Sequence, residues 1–282
     1  MVNPTEIIPG VLFYAYLSEG RKEKVGFFAH HTLVLLVSGS FLLETSGQRT
    51  GIETGQMMLI RKNQLGEITK MPAGGRGYES MVITLQEDLL RQIALEEQLT
   101  IRQKYTGPPN VLIPGNDFLR GFFQSVIPYV QHSEEEVTNQ MGVLKVKEGV
   151  QLLLHALPEL KNLMFDFSEP HKIDLERFML HNYHFNIPLA QFARLTGRSL
   201  AAFKRDFQRT FGMPPRQWLQ EKRLTEARHR IEHRRDKPSA IYLDLGFETL
   251  SHFSYAFKRR FGKTPSEWSA AQTENTGDLA AG

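Results

Sequence analysis

Residues 207–218 read FQRTFGMPPRQW, and fifty positions later residues 257–268 read FKRRFGKTPSEW. The register holds over a wider span. Leu200, Phe203, Phe207, Phe211, Gly212, Pro215 and Trp218 align with Leu250, Phe253, Phe257, Phe261, Gly262, Pro265 and Trp268. An internal repeat of this kind marks two copies of one supersecondary unit. Apolar residues at i, i+3, i+7 and i+11 lie on one helical face, so each copy predicts a helix that buries its leucine and phenylalanines. Ser199 and Thr249 stand where an N-cap is wanted, Gly212 and Gly262 where a left-handed C-cap is wanted, and Pro215 and Pro265 open the next helix. A shorter helix precedes each copy, LAQFARLT in one case and SAIYLDL in the other, and each runs into a glycine-marked turn, TGRS or GFET. Helix, short turn and second helix is the helix-turn-helix layout.

With the stripe buried, the residues turned outward are Ala201, Lys204, Arg205 and Gln208 in the first copy and Ser251, His252, Tyr255 and Lys258 in the second. Long hydrogen-bond donors interleaved with small residues suit a helix that enters a major groove. Residues 215–234 contain no internal breaker and predict one connecting helix. At 1.5 Å per residue it spans roughly 28 Å, enough to hold two recognition helices near one turn of DNA apart, about 34 Å. Charge points the same way. Residues 171–270 carry 19 Lys and Arg against 10 Asp and Glu, whereas residues 1–170 carry 15 against 19, in a chain of net charge +3. A basic segment of this kind suits a polyanionic partner.

The first 170 residues read differently. From Val11 to Leu85, short stretches such as VLFYAYL, VGFF, TLVLLVSGS, FLLETSG, MMLIRK and ESMVITL alternate with the turn segments SGQRTG, ETGQ and PAGGRG. This spacing predicts a β-sandwich or small barrel. After Leu85 the period becomes helical in DLLRQIALEEQL, DFLRGFFQSVIPYV and VTNQMGVLKVKEGVQLLLHAL. FDFSEPHK, at 165–172, reads as a boundary. The expected fold class is therefore α+β in two domains. A β-barrel with a helical extension occupies 1–168, an all-α double helix-turn-helix domain occupies 169–270, and residues 271–282 form a disordered polar tail.

The run LAQFARLTGRSLAAFKRDFQRTFGMPPRQWLQEKRLTEA, followed by SAIYLDLGFETLSHFSYAFKRRFGKTPSEW, resembles the DNA-binding domain of AraC/XylS-type bacterial transcription regulators, from Ile173 to Trp268. That resemblance implies sequence-specific promoter binding by two recognition helices in successive major grooves. Base contacts would come from Ala201, Lys204 and Arg205 and from Ser251, His252 and Tyr255, with Gln208, Lys258 and Arg259 completing the DNA-binding set. Lys222, Arg223, Arg259 and Arg260 are read either as phosphate contacts or as structural ion pairs. Tyr255 departs from the arginine that many members carry at its place, and Gln208 from a common lysine. LVSGSFLLETSG and IETGQMMLIRKN resemble the cupin-like effector domains of the same family. The resemblance implies double-stranded promoter DNA as partner and RNA polymerase if the chain is an activator. It also implies a small-molecule or protein effector and allows the pairing of two copies, whereas no membrane partner is expected from the lack of a long apolar run and a cytoplasmic location fits the lack of cysteine.

No cofactor or metal is expected. The chain has no cysteine. Adjacent His30 and His31 point to opposite faces of a strand, and one histidine with Glu44 is too small a ligand set. Phe13, Tyr14, Tyr16, Phe27, Phe28, Phe41 and Tyr78 either line a pocket or fill the barrel. The helical segment 134–157 either pairs two subunits or packs on its own barrel. No apolar run is long enough to span a bilayer, and the N-terminus does not read as a signal peptide. Two other classes remain open: a cupin-type enzyme with an accessory helical domain, which a GxSxG, HExxH or phosphate-loop motif would favour and none does, and a protein-interaction adaptor.

Overall fold

The computed structural model describes residues 5–45, 48–101, 103–131, 139–168 and 171–277. The chain divides into two compact units, Met1–Ser168 and Glu169–Gly282. The first contains β1 (Thr5–Ile8), β2 (Leu12–Leu17), β3 (Arg21–Phe28), β4 (His31–Ser38), β5 (Ser40–Thr45), β6 (Gln48–Glu53), β7 (Met57–Ile60), β8 (Gln64–Met71) and β9 (Tyr78–Leu85). Then follow α1 (Glu87–Glu96), β10 (Asn110–Ile113), α2 (Asp117–Gln131), α3 (Asn139–Ala156) and α4 (Leu160–Met164). All strand pairs are antiparallel, in two sheets of order β1-β2-β9-β4-β7-β10 and β3-β8-β5-β6.

The six-stranded sheet is buried on both faces. Val34, Leu36, Met58, Ile60 and Tyr78 pack with Phe28, Phe41, Leu43, Ile52 and Ile68 of the facing sheet. Leu33, Met57, Leu59, Met81 and Ile83 pack instead with helical residues such as Leu90, Phe122, Val150 and Leu153. This double burial explains why MMLI is a continuous apolar run without polar alternation. Of the aromatic residues in question, Phe28, Phe41 and Tyr78 fill the core between the sheets, whereas Tyr16 is exposed.

Four strands escape the sequence pattern, β1, β6, β8 and β10, the first because it precedes Val11. SGQRTG reads as a turn, yet Gln48–Gly51 belong to β6 and pair with Leu42–Thr45 of β5; Ser46 and Gly47 lie outside the described residues. As an edge strand β6 turns most of its side chains to solvent and buries only Ile52. β8 is interrupted by Gly66, over which the Leu43, Thr45 and Phe28 side chains pack, so that a Cβ would stand 2.8 Å from Leu43 and 3.0 Å from Thr45. β10 is a four-residue edge strand. The acidic run Glu134–Glu136 lies outside the described residues.

The second unit contains α5 (Leu175–Asn182), α6 (Leu189–Leu195), α7 (Leu200–Phe211), α8 (Pro215–Arg234), α9 (Pro238–Ile241), α10 (Leu250–Phe261) and α11 (Pro265–Gly277). The caps form as the repeat requires. Ser199 Oγ accepts the Ala202 N–H and Thr249 Oγ1 the His252 N–H, each at 3.2 Å. Gly212 and Gly262 take φ of 70° and 82°, which glycine adopts without steric cost. Thr264 and Glu267 add a reciprocal capping box to α11. Residues 271–277, expected to be disordered, continue α11, and residues 278–282 lie outside the described residues.

Phe203 and Phe207 are fully buried, and Phe207 and Phe211 meet Trp218 at ring distances of 5.5 and 4.5 Å. In the second copy Phe253 and Phe257 join Leu224, Ala227 and Ile231 of α8 with Ile241, Leu245 and Phe247, and Trp268 covers them. Trp218 and Trp268 are half-buried covers over these rings. The first members of the two stripes, Leu200 and Leu250, are exposed rather than buried. Helical side chains lean toward the N-terminus, so a leucine at the first helical position leans past the end of the packed face.

Candidate nucleic-acid interface

The buried stripes leave α7 and α10 with one free face each. All nine residues expected at the interface are exposed: Ala201, Lys204, Arg205, Gln208, Ser251, His252, Tyr255, Lys258 and Arg259. They lie on two helices of equal length with the same caps and the same phenylalanines beneath. Arg205 keeps 74% of its side chain exposed, and its nearest carboxylate, Asp206, is 3.8 Å away. Tyr255, at the equivalent position, is 68% exposed. Gln208 behaves differently. Its Nε2 donates to Gly212 O at 3.0 Å, so the side chain folds along α7 and closes the helix end.

Asp206 is a charged residue in an otherwise apolar layer, where the second copy has buried Ala256. Arg198 donates to it at 3.2 Å and Arg209 at 3.3 Å. The Arg198 hydrogen bond, reinforced by three nearby guanidinium charges, holds the Asp206 carboxyl below its ordinary range. Arg198 also donates to Ile173 O and Thr196 O, at 3.0 and 2.7 Å. The turn of the first unit is thus tied to α7 by an arginine.

The four cations read as phosphate contacts or ion pairs separate into distinct roles. Arg260 pairs with Glu221 of α8 at 2.6 Å. Lys222 lies over the Tyr183 ring at 5.6 Å. Arg259 is exposed. Arg223 fits neither alternative, because its guanidinium donates to the carbonyls of Tyr183, Phe185 and Gly246 at 2.8, 2.8 and 3.0 Å. Burial pushes it down to about 10. Sequence reasoning missed Arg216, which lines an open groove of about 610 Å³ beside the exposed face of α7. Leu200, Lys204 and Gln208 form one wall, and Leu189 and Pro215 are among the others. Arg216 follows the proline that starts α8, which places it next to the exposed face of α7.

Elsewhere, among the described residues, no group of three or more His, Cys, Asp or Glu side chains is placed to hold a metal ion, and no helix is long and apolar enough to cross a membrane. His31 is fully buried, and its Nδ1 accepts the Lys62 N–H at 3.4 Å. Burial first, then the charges of Lys62 and Arg61, push its imidazole down to about 3, so it is neutral.

Two tandem helix-turn-helix units with exposed, donor-bearing second helices, joined to a β-barrel unit, define a DNA-binding regulator. A helix-turn-helix domain model matches residues 192–271, and the ExsA N-terminal regulatory domain model matches residues 31–165. The chain belongs to the AraC/XylS family of transcription regulators, with an N-terminal regulatory domain and a C-terminal DNA-binding domain. The thermoregulatory protein LcrF of Yersinia pestis is 25% identical over 261 residues, covering 87% of this chain and 91% of LcrF. The HTH-type transcriptional regulator ExsA of Pseudomonas aeruginosa is 30% identical over 128 residues, covering 45% of this chain and 46% of ExsA. A crystal structure of an apo ToxT variant from Vibrio cholerae aligns with 93% of this chain and 98% of its own, at 14% identity and a TM-score of 0.47.

Proposed function

We propose that this regulator reads two successive major-groove segments of promoter DNA with α7 and α10. Ala201, Lys204 and Arg205 face the bases of one segment, and Ser251, His252 and Tyr255 those of the other. Lys258 and Arg259 serve the adjoining phosphates. Gln208, folded onto Gly212 O, contributes by closing α7 rather than by reading a base. The carrying observation is that two helices of one design, capped alike and packed on alike phenylalanines, expose equivalent positions fifty residues apart. Arginine at 205 suits a bidentate contact to guanine, whereas tyrosine at 255 suits a thymine methyl or a phosphate. The two copies therefore prefer different half-sequences.

In this reading the barrel unit tunes DNA binding in the cytoplasm in response to a small-molecule or protein effector, without a catalytic step. Two copies pair through the helical extension, where Phe118, Met141 and Leu144 leave large apolar side chains exposed. If the chain activates transcription, RNA polymerase is a further partner. Selection of bound duplexes from random DNA at near-physiological salt tests the reading. The expected result is a motif of two unlike blocks about ten base pairs apart. Sequence-indifferent recovery would replace it with the adaptor reading.

A further inference from the structure

A single connecting helix does not by itself fix how the two recognition helices are turned about its axis. Each helix-turn-helix unit packs on its own stretch of α8, and a small rotation of either would move one recognition face around the DNA. The structure supplies a brace across this freedom. Tyr183 and Phe185 lie in the loop that leads from α5 into the first helix-turn-helix unit, and Gly246 lies in the turn of the second. Arg223, midway along α8, donates to the carbonyls of all three. The same loop and the same turn meet again where Asn186 Nδ2 donates to Glu248 Oε1 at 3.0 Å. Their approach is close enough that a Cβ on Gly246 would lie 2.6 Å from His184 O and 2.9 Å from Arg223 Cζ. Phe185, Leu245 and Phe247 are buried around this joint. A guanidinium with three carbonyl acceptors from two segments is a directional clamp, because its fork fixes the angles as well as the distances.

We propose that Arg223 is a positioning residue that sets the spacing between the two DNA segments, by clamping the entry loop of the first helix-turn-helix unit to the turn of the second. The proposal rests on the two-groove reading above. On B-DNA each added base pair rotates the second block by roughly 34° about the axis, so a braced pair of readers tolerates one spacing and a loosened pair tolerates several.

The test uses the full chain and the duplex recovered by selection from random DNA, with derivatives in which one or two base pairs are added or removed between the blocks. The wild-type protein is expected to lose about tenfold or more in affinity on a two-base-pair change. Arg223→Gln is expected to reduce that penalty to about threefold or less, and Arg223→Lys, which keeps the charge and part of the hydrogen bonding, to fall between. A uniform loss across all spacings, with the wild-type profile preserved, would assign Arg223 to folding alone and overturn the proposal. A wild-type protein indifferent to spacing would overturn the two-groove reading, and the proposal with it. Should the Arg223 variants not fold, Asn186→Ala reads the same joint from an exposed position. A relaxed spacing profile supports the clamp, and an unchanged one contradicts it.

Discussion

Gly246→Ala and Gly212→Ala differ in one respect that the structure isolates. Both glycines have positive φ, 82° and 70°. Alanine in that region costs about 1–2 kcal/mol. A Cβ at Gly212 meets nothing within 4 Å, whereas at Gly246 it stands 2.6 Å from a backbone oxygen, His184 O. Backbone cannot yield as a flexible side chain does, and overpacking of this kind adds about 1–3 kcal/mol. The expected destabilisation is therefore about 1–2 kcal/mol for Gly212→Ala and about 2–5 kcal/mol for Gly246→Ala. Both tryptophans, Trp218 and Trp268, belong to the second unit, so tryptophan fluorescence during urea denaturation reports that unit alone. With a urea slope of about 2 kcal/mol per molar, the midpoint should fall by about 0.5–1 M for Gly212→Ala and about 1–2.5 M for Gly246→Ala. Equal shifts for the two variants would refute the close approach on which the joint around Arg223 depends.

Other expectations follow from the same packing. Phe207→Ala removes a fully buried ring that meets Phe203, Phe211 and Trp218, and should cost about 3–5 kcal/mol by the same fluorescence assay. Arg205→Ala should leave that midpoint unchanged and weaken specific binding by about 1–3 kcal/mol, with relaxed preference at one position. Equal loss on every sequence would make Arg205 a phosphate contact. The first unit should lose stability as pH falls below about 6.5 and toward 3, because unfolding lets His31 take up a proton that the folded state refuses. Its contribution is complete above that window and has a limiting slope of about 1.4 kcal/mol per pH unit. Thermal denaturation followed by circular dichroism should show this slope reduced in His31→Gln, and an unchanged slope would contradict a neutral buried His31.

The double helix-turn-helix was legible because each of its signals is local. A serine or threonine cap, a phenylalanine every fourth position, a glycine at the helix end and a proline after it act within a dozen residues. The exposed faces of α7 and α10 followed from the same periodicity. What the pattern hid depends on distant neighbours. Leu200 and Leu250 continue the apolar stripe yet find no layer above them. Arg223 looks like its charged neighbours on α8, and only the loop some forty residues earlier and the turn some twenty later show what it holds. Asp206 breaks the apolar layer on which Ala256 conforms, because Arg198 comes back across the turn to meet it. In the first unit, β6 and β8 are polar or glycine-interrupted and become strands through pairing with β5.

Guanine N7 methylation protection on the selected duplex, with the full-length protein bound, tests the two-groove reading most directly. Major-groove readers shield N7, whereas phosphate or minor-groove contacts leave it open. Two protected clusters about one helical turn apart on one face of the duplex are expected, with protection lost in Arg205→Ala only at the guanine opposite Arg205. A single cluster, or binding that leaves every guanine N7 reactive, would contradict it.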